Sequence, residues 1–119
     1  MSYRKYRNKR SVDAEGNKFD SNMERRRWEE LKIMEAGGLI FNLRRQVPYD
    51  LIAHEVTICR YVADHVYRRV EPFNTLGPEI VEDVKGVRTA EYRLKKKLML
   101  ALHGIAIYEW PERKRKKRK

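Results

Sequence analysis

At 119 residues the chain has the length of one domain with a modest core. It carries 28 basic and 17 acidic side chains, for a net charge of +11. It contains no apolar run close to the roughly 20 residues that span a bilayer, which argues against a membrane-embedded helix. No apolar stretch follows the basic start, so no signal peptide is expected. The single cysteine, Cys59, cannot form an internal disulfide, and a reducing, cytoplasmic setting is expected.

The charge is concentrated at the ends. Residues 1–10 hold five basic and no acidic side chains, and residues 111–119 hold seven basic and one acidic. Between them, sixteen basic and sixteen acidic groups balance. The sequence therefore divides into a flexible basic arm (1–18), a mixed-charge domain (19–110) and a basic tail (111–119). Cationic arms bind polyanions by neutralising phosphates and releasing counterions. Arg4, Lys5 and Arg7, interleaved with Tyr3 and Tyr6, and Arg113, Lys114 and Arg115 are candidate phosphate contacts. The plain alternative is a solubilising or nuclear-targeting tail.

In chain order, a turn is expected at Glu15-Gly16-Asn17. A helix opens near Ser21, where Ser21 and Glu24 have capping-box spacing. Trp28, Leu31 and Met34 form its apolar face, and Gly37-Gly38 ends it. Leu39 to Arg44 reads as a strand. Gln46 to Ile52 reads as a second, with Pro48 marking an edge or bulge. Val56 to Tyr67 is a longer β-type run, with Tyr61, Ala63 and His65 on one face and Val62, Asp64 and Val66 on the other. A turn containing Pro72, Asn74, Gly77 and Pro78 precedes a strand from Ile80 to Lys85. Thr89 to His103 is a second helix stopped by Gly104, and Ile105 to Trp110 is a last strand. The order α-β-β-β-β-α-β predicts an α/β fold with a mixed sheet flanked by helices. The last strand should pair parallel to the one before the second helix, through a right-handed crossover.

Chemistry concentrates in Ile80-Val81-Glu82-Asp83-Val84-Lys85-Gly86. In a strand Asp83 and Lys85 share a face. A carboxylate that holds a divalent metal, beside a lysine that orients or deprotonates water and offsets transition-state charge, suits phosphodiester hydrolysis. Asp64 supplies a second carboxylate. It lies between Val62 and Val66 on an apolar face, where an unpaired charge is costly. For each residue a plain reading stands beside this one. Asp-x-Lys triplets are mostly solvated strand faces, Glu24 has a role as a cap, and Glu82 reads as a sheet-face charge. His54, His65 and His103 lack zinc-ligand spacing, and Cys59 has no evident base. Lys95, Lys96 and Lys97 form a basic helix face one turn beyond the site strand, placed to track a phosphate backbone.

The pattern Asp64 … Asp83-Val84-Lys85, after a helix bearing Glu24, resembles the PD-(D/E)xK nuclease superfamily. More narrowly, Lys18-Phe19-Asp20-Ser21, Gln46-Val47-Pro48, Tyr61-Val62-Ala63-Asp64 and Val81-Glu82-Asp83-Val84-Lys85-Gly86 resemble a bacteriophage-encoded family related to archaeal-type Holliday junction resolvases. The resemblance implies a restriction-endonuclease-like core. It implies Asp64 and Asp83 as metal carboxylates, with the Val84 carbonyl completing the inner shell, and Lys85 as the catalytic lysine. Glu24 would be a further acidic ligand, direct or through water, and Gln46 a neighbour of the site. Ala63 stands where the superfamily's name has proline. The expected function is a Mg²⁺- or Mn²⁺-dependent DNA endonuclease leaving a 5′-phosphate and a 3′-hydroxyl. The expected substrate is branched DNA, cut by a homodimer as in a Holliday junction resolvase. The alternatives are a nuclease on linear duplex or single-stranded DNA, for host-DNA degradation or packaging, and a non-catalytic nucleic-acid-binding protein.

Overall fold

A computed structural model describes residues 10–72 and 75–112. The elements are β1 (Ser11–Val12), β2 (Lys18–Phe19), α1 (Asn22–Ala36), β3 (Ile40–Ala53), β4 (Val56–Glu71), β5 (Thr75–Val84), α2 (Ala90–His103) and β6 (Tyr108–Trp110). The chain forms an α/β fold around one mixed four-stranded sheet, ordered β3-β4-β5-β6. The first three strands are antiparallel, and β6 lies parallel to β5 after the α2 crossover, as expected. None of the described helices is long and apolar enough to cross a membrane.

Both helix starts follow from their caps. Ser21 Oγ accepts the Glu24 N–H at 3.2 Å, and Thr89 Oγ1 accepts the Tyr92 N–H at 3.1 Å. At the C-terminus of α2, Gly104 takes φ +68°, and the Ile105 N–H returns to the Met99 carbonyl at 3.2 Å.

The helices pack on opposite faces of the sheet. Tyr92, Met99 and Ile107 join Leu51, Tyr61, Ala63, Val66 and Val81 in the main core on the α2 side. Leu31 of α1 packs with Ile40 and Tyr67 in a smaller core. Strict alternation along β4 would place His65 with Tyr61 and Ala63. Instead Tyr61, Ala63 and Val66 enter the α2 core, while His65 stacks on Trp28 of α1, ring centroids 5.7 Å apart. The facing changes between Ala63 and His65, alongside Gln46 of β3, whose φ is +53°. Asp64 lies at that change.

Several boundaries differ from expectation: β4 runs on to Glu71, β5 ends at Val84, and the last strand starts at Tyr108 rather than Ile105. The segment 1–18 is not an unstructured arm throughout. Ser11–Val12 pairs with Lys18–Phe19, and the Asp13 carboxylate accepts the N–H groups of Glu15 and Asn17 within the intervening turn. The two strands expected either side of Arg45 are one strand. Pro48 is tolerated because, among the described residues, β3 is an edge strand paired with β4 alone, and positive φ at Asn42 and Gln46 bends it without ending the ladder. Finally, β5 starts at Thr75, so Gly77 and Pro78 lie in a strand rather than a turn. Glycine fits the close approach there: a Cβ at Gly77 would lie 2.6 Å from Glu71 Oε1, whose side chain would have to move, and 3.0 Å from the Arg69 carbonyl.

One ion pair ties α1 to the centre of the sheet. Glu82, fully buried, accepts from Arg27 Nε at 3.0 Å, Arg27 Nη2 at 2.7 Å and Tyr67 Oη at 2.8 Å, and contacts His65 Nδ1 at 3.0 Å. Burial alone would raise its carboxyl pKa. The bonds from His65 and Arg27, with the Arg27 charge, hold it below the usual range. Glu82 is therefore a structural anchor and not a solvated sheet-face charge.

Candidate active site

The site forms where β4 and β5 part. Their antiparallel pairing runs as far as His65↔Glu82, and from Glu82 onward β5 is bonded to β6 on its other side. The Val84 N–H, pointing back toward β4, is satisfied by a side chain: Asp64 Oδ2 accepts it at 2.8 Å. The carboxylate so held belongs to the residue at which the facing of β4 changes.

Asp83 projects to the α2 side and is only 2% exposed. Its Oδ2 accepts a short hydrogen bond from the Tyr61 hydroxyl. Its Oδ1 lies 3.0 Å from Lys85 Nζ, close enough for ion pairing. That contact lacks hydrogen-bond alignment, so Asp83 Oδ1 is a buried oxygen with no hydrogen-bond partner among the described residues. Lys85 Nζ sits 4.2 Å from the centre of the Tyr92 ring, and the Tyr92 hydroxyl is anchored to Glu109 at 2.7 Å. Asp64, Asp83 and Lys85 thus meet, as expected, at a cleft of about 280 Å³ that Tyr61, Tyr92 and Lys95 also line.

Glu24 resolves its two readings in an informative way. Its backbone N–H is capped by Ser21, but its carboxylate turns toward the sheet, where Oε1 accepts from Gln46 Nε2 at 3.1 Å. The same nitrogen lies 3.5 Å from Asp64 Oδ1, so Gln46 stands between the two carboxylates. Arg45 approaches Glu24 at 3.7 Å. Glu24 and Gln46 border a separate hollow of about 210 Å³ rather than the cleft itself.

Asp64 and Glu24 both resist ionisation in this partly desolvated place. Burial, then the charges of Asp83 and Glu24, push the Asp64 carboxyl up to about 8, against the Val84 N–H bond. Burial raises Glu24 also, opposed by the charges of His65 and Arg45. A cation would relieve the repulsion between such carboxylates. Among the described residues, however, no three His, Cys, Asp or Glu side chains converge tightly enough to enclose a metal ion by themselves. The donor set is a carboxylate pair with a buried, unbonded oxygen. It fits a hard cation that keeps several waters, as Mg²⁺ does, and does not fit a fully protein-enclosed site.

Comparison with family models places the chain in a group described as "Protein of unknown function (DUF1064)", with residues 3–117 matched. The chain belongs to that family. No curated protein and no solved structure gives a significant match.

The candidate DNA contacts divide by location. Lys95 borders the cleft and pairs with Glu91 at 3.0 Å, Lys96 is drawn to Glu109 at 3.2 Å, and Lys97 is exposed. Arg4, Lys5, Arg7, Arg113, Lys114 and Arg115 lie outside the described residues. Sequence reasoning gives Tyr61 and Tyr92 no role in the site, although both stand in segments that carry the resemblance. Tyr61 lies on the run leading to Asp64, and Tyr92 at the first turn of the helix after Lys85.

Proposed function

We propose that this protein is a divalent-metal-dependent DNA endonuclease of the PD-(D/E)xK kind. One observation carries the reading: Asp64 and Asp83 come together from two strands that part, with Lys85 Nζ 3.0 Å from Asp83 Oδ1 at the same cleft. The mixed sheet, with α1 before it and α2 crossing between β5 and β6, is compatible with a restriction-endonuclease-like core.

In this reading Asp64 and Asp83 hold the cation, with the Val84 carbonyl as a neutral donor and Glu24 acting from beyond Gln46. The bound Mg²⁺ or Mn²⁺ supplies Lewis acidity and a water of lowered pKa. Lys85, placed by the Tyr92 ring, orients the attacking water and offsets negative charge gathering on the phosphate. Lys95, at the cleft margin, and the basic ends of the chain position the DNA backbone without reading bases. Recognition by shape suits branched DNA, and a two-fold junction that needs two nicks suits a homodimer.

The deciding experiment offers purified protein a four-way junction and a linear duplex of the same sequence, with Mg²⁺ and with EDTA. Mg²⁺-dependent nicking of the junction, with 5′-phosphate ends, supports the proposal. Equal cutting of both substrates replaces the branched-DNA specificity with a general nuclease. Binding without cleavage in any divalent metal leaves a nucleic-acid-binding protein and overturns the enzyme reading.

A further inference from the structure

In each of the paired carboxylates, one oxygen takes a firm hydrogen bond from the protein and the other does not. Asp64 Oδ2 takes the Val84 N–H at 2.8 Å, while Asp64 Oδ1 has the Gln46 contact at 3.5 Å, the limit of a hydrogen bond. Asp83 Oδ2 takes the Tyr61 hydroxyl, while Asp83 Oδ1 is a buried oxygen with no aligned hydrogen-bond donor, held only by the ion pair to Lys85 Nζ at 3.0 Å. The tie on Asp64 is backbone and comes with the fold. The tie on Asp83 is a side chain that phenylalanine would lack.

Tyr61 is built to hold that bond. It is buried in the α2-side core and stacked on Tyr49, ring centroids 6.4 Å apart, so its ring has little freedom. A phenol beside a carboxylate donates its only proton to it. The plain role, a buried hydroxyl finding a partner, does not explain why that partner is a cleft carboxylate whose other oxygen has no hydrogen-bond donor.

The distinction between one oxygen and two matters to a cation. Calcium takes six to eight oxygens in flexible geometry and often binds both oxygens of one carboxylate. Magnesium demands near-octahedral geometry, keeps waters and takes carboxylate oxygens singly. We propose that Tyr61 is a positioning residue that makes Asp83 a one-oxygen ligand, and so sets the preference of the site for a small octahedral cation over calcium. This rests on the metal site proposed above and goes beyond it, by assigning the selectivity to a residue that touches neither metal nor substrate.

The test uses the full chain, stripped of metal, as wild type and as Tyr61→Phe. Thermal unfolding is followed while MgCl₂ or CaCl₂ is added, and the two dissociation constants are read from the stabilisation each cation gives. The expected result is a Ca²⁺ affinity that rises relative to Mg²⁺ by on the order of tenfold in Tyr61→Phe, the lower end of what outer partners of metal ligands contribute. An unchanged ratio, or an equal loss of both affinities, overturns the role of Tyr61 and leaves the metal site standing. A wild type stabilised by neither cation overturns the metal site and this inference together. A second measurement is independent of how the variant folds: isotope-edited infrared spectroscopy of aspartate carboxylates in the wild type with Mg²⁺. A wide separation of the two carboxylate stretches, the mark of one-oxygen binding, is expected. A narrow separation, the mark of two-oxygen binding, overturns the inference.

Discussion

Asp64→Asn is expected to stabilise the cation-free protein, increasingly so as pH rises. In the fold, burial and then the charges of Asp83 and Glu24 raise the Asp64 carboxyl from 3.8 to about 8. Between those values the folded chain keeps a proton that the unfolded chain has released, so stability falls as pH rises through the window. One proton is worth about 1.36 kcal/mol per pH unit, so the three units from about pH 5 to about pH 8 would carry roughly 4 kcal/mol. The cleft is open to water, and solvent screening reduces the effect to about 2 kcal/mol. That is still a large share of the roughly 5–15 kcal/mol that holds a domain folded. Asparagine keeps an oxygen for the Val84 N–H and carries no charge. Urea unfolding of both proteins in EDTA, from about pH 5 to about pH 8, should show the gap between them widening by about 2 kcal/mol or more. Adding Mg²⁺ at the upper pH should stabilise the wild type and not the variant. Parallel stability curves for the two proteins across that range would refute the reasoning.

Asp83→Asn should lower cleavage of a four-way junction in Mg²⁺ by on the order of 10³-fold while DNA binding, read by gel shift in EDTA, persists or tightens. Lys85→Ala should abolish cleavage too but weaken binding slightly. Deleting residues 111–119 removes seven basic groups and one acidic. It should flatten the dependence of log affinity on log salt by about 0.9 for each phosphate that is no longer neutralised, and leave the rate at saturating substrate intact. Glu82→Gln leaves Arg27 buried with only the half-exposed Glu30 as counter-charge, and urea unfolding should register a loss of about 3 kcal/mol.

The parts of the fold that obey local rules were legible in the sequence. Ser21 and Thr89 announced both helices, Gly37 and Gly104 ended them, and the parallel placement of β6 followed from the α2 crossover. Asp83 on β5 and Lys85, one residue past its end, both line the cleft, on the same side as the period-two rule implied. That rule failed between Ala63 and His65, because the bend of β3 at Gln46 is a property of the paired strands and no single-strand pattern carries it. Gly77 and Pro78 read as a turn because both residues usually punctuate chains. Gly77 instead lies close to Glu71 and Arg69, which become its neighbours only when the strands pair. The capping spacing of Glu24 correctly predicted its backbone bond and said nothing of its carboxylate, which the sheet redirects to Gln46. The role of Tyr61 was invisible for the same reason. Its partner Asp83 lies on another strand, and the bond exists only once the sheet has formed.

Glu82 and Asp83 are consecutive carboxylates that leave β5 on opposite faces, one to Arg27 and His65 and the other to Tyr61 and Lys85. A slip of β5 by a single residue along β4 would exchange their surroundings. The longer side chain would enter the cleft, and the shorter one would fall short of a guanidinium placed by another element. Both mismatches would arise together, on the two sides of the sheet, so the misaligned state carries a double penalty from one error. Arg27 therefore works as a gauge of alignment: a helix residue far from the chemistry certifies that the strand has settled in the one position where Asp83 faces Asp64. The length of the connection between β4 and β5 is relieved of that duty, because alignment is measured at the end of β5 next to the site and not at the turn where the strand begins.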